Sequence, residues 1–245
     1  MEERHFDIRF EFSPSSAAER IARRIADGGV GYVCGADGNI IQMVHRDASY
    51  RDVIDGAMFS ICDSSWAAML LTDLYGKTYS QYCGSQIFDD MTKAGRYRHF
   101  FLGTSDKVLD SLQNNLCRID RAFSEMTFMS LPFGPAKDFD YPAIADTINA
   151  DSPDIIWVAL GAPKQEYFMS MLEPCLKRGV MIGVGAVFNF RSGVGEKRAP
   201  QWMVKAHLEW LYRILKSPGK QIKRCWRIVT AFPAVYKEEK KRSRQ

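Results

Sequence analysis

Five short apolar runs recur along this chain, each closed by glycine or a small polar residue: VGYVCG (30–35), MFSIC (58–62), HFFLG (99–103), DIIWVALG (154–161) and VMIGVGAVF (180–188). Such runs, rich in β-branched and aromatic residues and lacking polar alternation, suit strands buried on both faces. Longer stretches with helical periodicity separate them: PSSAAERIARRIADGG behind a cap at Ser13, NIIQMVHRDASYRDVIDG, SSWAAMLLTDLYG, SDKVLDSLQNNL, YPAIADTINADS and KQEYFMSMLEPCLKRG. FDIRFEF (6–12) alternates as a further strand, and EMTFMSL reads as another. This alternation predicts an α/β fold, a mostly parallel sheet covered by helices on both faces.

A chain of 245 residues accommodates one such domain and an appendage. The opening MEERHFDIRF has no apolar core of a leader peptide, and no run approaches the ~20 residues of a membrane span, so neither is expected. Six cysteines are scattered without a CxxC pair, and four histidines show no ligand spacing. Neither a metal site nor a disulfide framework is expected, and a reduced, cytoplasmic setting fits. Charge is uneven. From Arg213 onward the chain carries a net +9, whereas residues 1–212 carry −5. A basic tail on a mildly acidic body predicts a polyanionic partner.

Ligands of parallel sheets sit beyond the carboxyl ends of the strands. Those ends are Gly35–Asp37, Asp63–Ser65, Gly103–Ser105, Gly161–Glu166 and Gly183–Asn189. Gly103, Gly161, Gly183 and Gly185 would let backbone N–H groups approach a phosphate; each is equally a plain turn residue. Asp63 suits a general base at a strand end and, as well, the cap of the helix that follows. Gln165 offers donors and an acceptor to a sugar or a base edge, and Lys164 a point charge, although a solvated first turn with Glu166 facing the dipole explains them too. Arg191, Lys197 and Arg198 lie in a glycine-rich loop suited to a phosphate clamp or to plain exposure. In the tail, Ile222, Cys225, Trp226, Val229 and Phe232 recur at helical spacing among Lys220, Lys223, Arg224 and Arg227. This pattern fits a membrane-surface helix or a helix packed on the body.

Taken together, HFFLGTSDKVLDSL, INADSPDIIWVALGAPKQE, IGVGAVFNFRSGVGEKRAPQWM and HLEWLYRILKSP resemble the WecG/TagA/CpsF family of bacterial glycosyltransferases. The likeness runs from about residue 30 to 230. It implies a Rossmann-like domain (residues 1–200) followed by a basic helical appendage (201–245) that meets the membrane. It also implies an inverting, metal-independent transfer from a UDP-sugar to a lipid-diphosphate-linked acceptor, the sugar being N-acetylmannosamine, its uronic acid or glucose. The setting would be surface-polysaccharide or wall-polymer synthesis at the cytoplasmic face of the membrane, without a cofactor. Carried over residue by residue, Asp63 matches the proposed catalytic aspartate and Gln165 the donor contact. Arg213 and Arg224 match arginines that bind diphosphate, with Lys220 and Lys223 among the usual basic residues.

The chain departs from the family pattern in three places. Gly35 and Asp37 stand where a Thr-x-Asn segment is usual, Gln81–Cys83 where an arginine precedes Gly84-Ser85, and Asn189 where an aspartate is common. The alternatives are a divergent member with another acceptor and a nucleic-acid-binding module. The interleaved Trp226, Val229 and Phe232 favour lipid over nucleic acid. The GxGxxG of a dehydrogenase or epimerase is absent.

Overall fold

The computed structural model describes residues 2–194, 199–200, 202–203 and 209–244. Eight strands form one sheet: β1 (Glu2–His5), β2 (Ile8–Glu11), β3 (Val30–Ala36), β4 (Phe59–Cys62), β5 (His99–Leu102), β6 (Thr127–Met129), β7 (Ile155–Val158) and β8 (Gly179–Gly183). Their order is β1-β2-β4-β3-β8-β7-β5-β6. All neighbours are parallel except the β1–β2 hairpin.

Strand periodicity sorts the core into two layers. Ile156 and Val158 face one side of the sheet, Ile155 and Trp157 the other. The first layer is covered by α2 (Gly38–Arg46), α3 (Ala48–Gly56), α4 (Ser65–Tyr75), α7 (Tyr141–Asp151) and α8 (Lys164–Leu172). The second is covered by α1 (Pro14–Ala26), α5 (Gly84–Lys93), α6 (Asp106–Cys117) and α9 (Val187–Ser192). Two C-terminal helices follow, α10 (Glu209–Lys216) and α11 (Pro218–Arg242).

The parallel sheet with helices on both faces is as the sequence predicts. Four details differ. The stretch 39–56 is two helices, because Asp47 accepts from Ser49 and Tyr50 N–H and so caps a second start. VMIGVGAVF stops being a strand at Gly183; Gly185 takes a positive φ, and α9 begins at Val187. Helix α5 has no counterpart in the periodicity read above. The strand read at 6–12 begins only at Ile8, since Phe6 and Asp7 form a two-residue turn with positive φ at both positions.

That turn is strained for side chains other than glycine, by about 1–2 kcal/mol per residue. Helix α11 holds it. Glu239, 1% exposed, accepts from Phe6 N–H at 2.8 Å, from the Tyr75 hydroxyl at 2.7 Å and from His5 Nδ1 at 3.0 Å. Arg242 reaches Asp7 at 2.6 Å. Further along, Ala231 and Val235 enter the first core layer, Arg46 bonds Thr230 at 3.0 Å, and Trp66 meets Phe232 edge-on. The tail helix is therefore packed on the body. Of the tail residues read as apolar, Ile222, Trp226 and Val229 point outward instead.

Burial disfavours the Glu239 charge, but the bonds from His5, Tyr75 and Phe6 outweigh it and hold the carboxyl below the ordinary range. A depressed folded pKa contributes stability above the unfolded value, and this stability is lost as pH falls through the folded one. Glu239→Ala leaves three buried donors unmet. It is expected to cost on the order of 3 kcal/mol at pH 7, with the deficit shrinking in acid. Thermal melts of both proteins at pH 7 and pH 3.5 check this; equal melting at pH 7 would remove the anchor.

Candidate active site

The ends of β4, β3, β8 and β7 lie side by side. After β3 the chain crosses to the first face as α2, and after β8 to the second as α9. Neighbouring strands whose connections diverge in this way open a crevice between them. Glycines form its floor. A Cβ on Gly35 would stand 3.6 Å from Asp63 Cβ, 3.7 Å from its Oδ2 and 3.8 Å from the Gly183 carbonyl. A Cβ on Gly183 would stand 3.0 Å from Gln165 Nε2. Asp63 and Gln165, a hundred residues apart, thus flank one strip of bare backbone.

Asp63 does not cap the helix that follows it. Ser64 does, accepting from Ala67 N–H at 3.2 Å. The Asp63 carboxylate instead accepts from Gly84 N–H, the first residue of α5, at 3.3 Å, and its own N–H donates to Ala36 O at 3.1 Å. A helix N-terminus steadies the carboxylate's charge. A groove of about 400 Å³ runs between α4 and residues 79–81, lined by Ser65, Ala68, Met69, Tyr79 and Gln81.

Gln165 is 5% exposed and its amide is engaged at both ends. Oε1 accepts from Gly161 N–H at 3.2 Å and from Gly185 N–H at 3.0 Å, tying the loops after β7 and β8 together. Nε2 donates to Glu166 Oε1 at 2.8 Å. Glu166 is fully buried, which corrects the solvated first turn described above. Residues 165, 166, 168, 169 and 172 are the buried face of α8, a helical spacing that was available in the sequence. Burial pushes the Glu166 carboxyl up to about 7, and the Asp37 charge adds to the rise. The Tyr50 hydroxyl interacts with this carboxylate. Burial and the nearby Glu166 charge push the Tyr50 phenol and the Cys34 thiol up as well.

The remaining candidates divide. Lys164 sets its ammonium over the rings of Phe139, at 4.8 Å, and Phe133, at 5.6 Å. Gly103 has φ 107°, and a Cβ there would stand 2.9 Å from the Ala159 carbonyl, so the fold alone requires this glycine. Arg191 pairs with Asp89. Arg198 lies outside the described residues, as do Lys197 and the side chains of Arg213 and Lys220. Lys223 is exposed on α11, whereas Arg224 turns inward and pairs with Asp37 at the end of β3. Gly38, the residue after Asp37, lies under Ile228, so α11 roofs this corner of the crevice. Asp37 appeared in the sequence only as a strand-end residue; nothing local signals a partner 187 positions away.

Two outcomes follow from the Gln165–Glu166 pair. Gln165→Ala frees two loop N–H groups and leaves Glu166 without its donor, for an expected cost of about 1–3 kcal/mol. A raised folded pKa makes stability fall as pH climbs from the ordinary 4.5 to about 7. Glu166→Gln is expected to flatten that fall by about 3 kcal/mol, read from melts across pH 4.5–7.5. Parallel pH curves for wild type and Glu166→Gln would show that Glu166 stays ionised.

With the crevice described, similarity to known proteins gives it a context. The glycosyl transferase WecG/TagA/CpsF family model matches residues 5–245. A Bacillus spizizenii protein named N-acetylglucosaminyldiphosphoundecaprenol N-acetyl-beta-D-mannosaminyltransferase is 31% identical over 203 residues, covering 80% of this chain and 74% of that protein. The protein of the same name from Bacillus subtilis is 27% identical, covering 80% and 75%. That from Staphylococcus aureus is 24% identical, covering 75% and 71%. The match spans the sheet, the crevice and the C-terminal helices together, and the chain belongs to the WecG/TagA/CpsF family of glycosyl transferases.

Proposed function

We propose that this chain is an inverting transferase moving an N-acetylmannosamine-type sugar from a UDP-sugar to an N-acetylglucosamine carried on a polyprenyl diphosphate, in the synthesis of a wall or surface polymer. The relatives' printed names support the sugar and the acceptor. The observation that carries the mechanism is Asp63: a carboxylate held at the end of β4 by the N-terminus of α5, beside backbone stripped of side chains at Gly35 and Gly183.

In this reading the donor lies over the glycine strip, against the loops that Gln165 joins. The acceptor enters along α4, whose groove begins two residues beyond Asp63. The acceptor hydroxyl oxygen attacks the anomeric carbon from the face opposite UDP. Its proton passes to Asp63, the bond to the UDP oxygen breaks, and the configuration inverts. Arg224 and the backbone N–H groups of the loops offset the phosphate charge, with Arg213, Lys220 and Arg198 as further candidates. The reading needs no metal or cofactor.

It also places the protein on the inner face of the membrane. Among the described residues no helix is long and apolar enough to cross a membrane. Helix α11 nevertheless exposes Ile222, Trp226 (70% exposed) and Val229 in one stripe, beside exposed Lys223 and Arg227. Apolar wedges among cations suit an anionic lipid surface.

Two measurements test this. UDP release is assayed with EDTA, a UDP-sugar panel and a short-chain lipid-diphosphate acceptor. Acceptor-dependent release is expected, lowered ~10²–10⁴-fold in Asp63→Asn with the melting temperature retained; near-wild-type activity of the variant would remove Asp63 from the base role. Co-sedimentation with anionic vesicles is expected for the wild type and is expected to weaken several-fold in Trp226→Ala. Unchanged binding of that variant would take the lipid contact away from α11.

A further inference from the structure

The two oxygens of Asp37 have different work. Oδ1 accepts from Asn39 N–H at 2.8 Å and Ile40 N–H at 3.1 Å, capping α2. Oδ2 takes the Arg224 guanidinium, brought from α11. Both side chains keep some exposure, 24% for Asp37 and 31% for Arg224, so a dissolved anion can reach the pair. Among the described residues neither Lys223 nor Arg227 has a carboxylate within ion-pair distance, and both are exposed. Of these three cations at the start of α11, only Arg224 already holds an anion.

That occupancy has a chemical consequence. Any anionic group seeking Arg224 must displace a carboxylate that already makes a charge-assisted contact. A carboxylate or a monophosphate exchanges one such contact for another of similar kind and gains little. A diphosphate carries more charge and a second phosphoryl group, so it can engage Arg224 together with Lys223 or Arg227. A built-in competitor lowers the apparent affinity of every ligand that must displace it by the same factor.

Resting on the reading of Arg224 as a phosphate ligand, we propose that Asp37 is a resident counter-anion on Arg224 that a phosphate-bearing ligand must displace, and that it thereby sets how tightly this corner of the crevice holds phosphate. The exchange is ionic, with no bond made or broken. When Arg224 turns to the ligand, Oδ1 keeps its hold on α2, so the cap survives the switch.

Calorimetric titration of the full chain with inorganic pyrophosphate and with inorganic phosphate tests this in wild type, Asp37→Asn, Arg224→Ala and the double variant. Asparagine caps helices as well as aspartate, so Asp37→Asn should fold, and its melting temperature checks that. The expected result is about tenfold tighter phosphate binding in Asp37→Asn. A gain of similar size is expected for pyrophosphate, and both gains should vanish when Arg224 is alanine. Equal affinities in wild type and Asp37→Asn, a gain that persists without Arg224, or no binding of either anion to any of the four proteins would each overturn the proposal. Failure of the transferase reading looks different: anion binding follows the expected pattern while no UDP-sugar yields acceptor-dependent UDP release.

Discussion

A single buried carboxylate joins the two ends of this chain. Glu239 reaches the core from the tail helix and meets the hydroxyl of Tyr75, the ring of His5 and the N–H of Phe6. Taking a carboxylate out of water costs several kcal/mol unless its lone pairs are met, and here three donors meet them. The anchor fixes more than its own surroundings. It makes a positive-φ turn at Phe6 and Asp7 tolerable, which sets the hairpin at the sheet edge. Because α11 is continuous from Pro218 to Arg242, it also sets where the far end of that helix lies. Arg224 reaches the end of β3 because Glu239 is held at the turn between β1 and β2.

The crevice has its own internal cost. Gln165 spends both ends of its amide on structure, bridging two loops with Oε1 and contacting Glu166 with Nε2. Glu166 is buried beside the Tyr50 hydroxyl, and burial raises its pKa. A core chosen for stability alone would place apolar side chains there. Buried polar groups beside a crevice fit the general rule that local destabilisation collects where a defined geometry must be held. They also recast Gln165. Its role is first to hold Gly161 and Gly185 in place, and whatever contact it makes with a donor passes through loops it has shaped.

Local signals served the sequence reading well where structure is local. Apolar runs closed by glycine or a small polar residue located β3, β4, β5, β7 and β8, and the strand-end rule located Asp63, Gln165 and the crevice glycines. It failed where the deciding partner is remote. Asp63 could be a cap or a functional carboxylate until Ser64 was seen to take the cap. Asp37 gave no sign of Arg224, nor Phe6 of Glu239, because an ion pair spanning nearly the whole chain leaves no periodicity. The helix at 84–93 was missed for a different reason. Its N-terminus is organised by the Cys83 backbone and the Gln86 side chain rather than by a serine or aspartate cap.

The same contrast bears on how a divergent member of a family can keep one reaction and change its partners. In the proposed reading, the parts of the crevice that serve bond exchange, Asp63 and the glycine strip, rest on sheet geometry that every parallel strand enforces. The parts that grip charge rest on α11, a helix attached by side chains alone. A departure from the family pattern at Asp37 costs the sheet nothing, because its cap on α2 is kept. What it changes is the charge that Arg224 meets before any ligand arrives. Under the proposal above, substitutions at the strand end beneath the tail helix tune how tightly an anion is held there while the carboxylate at β4 stays as it was.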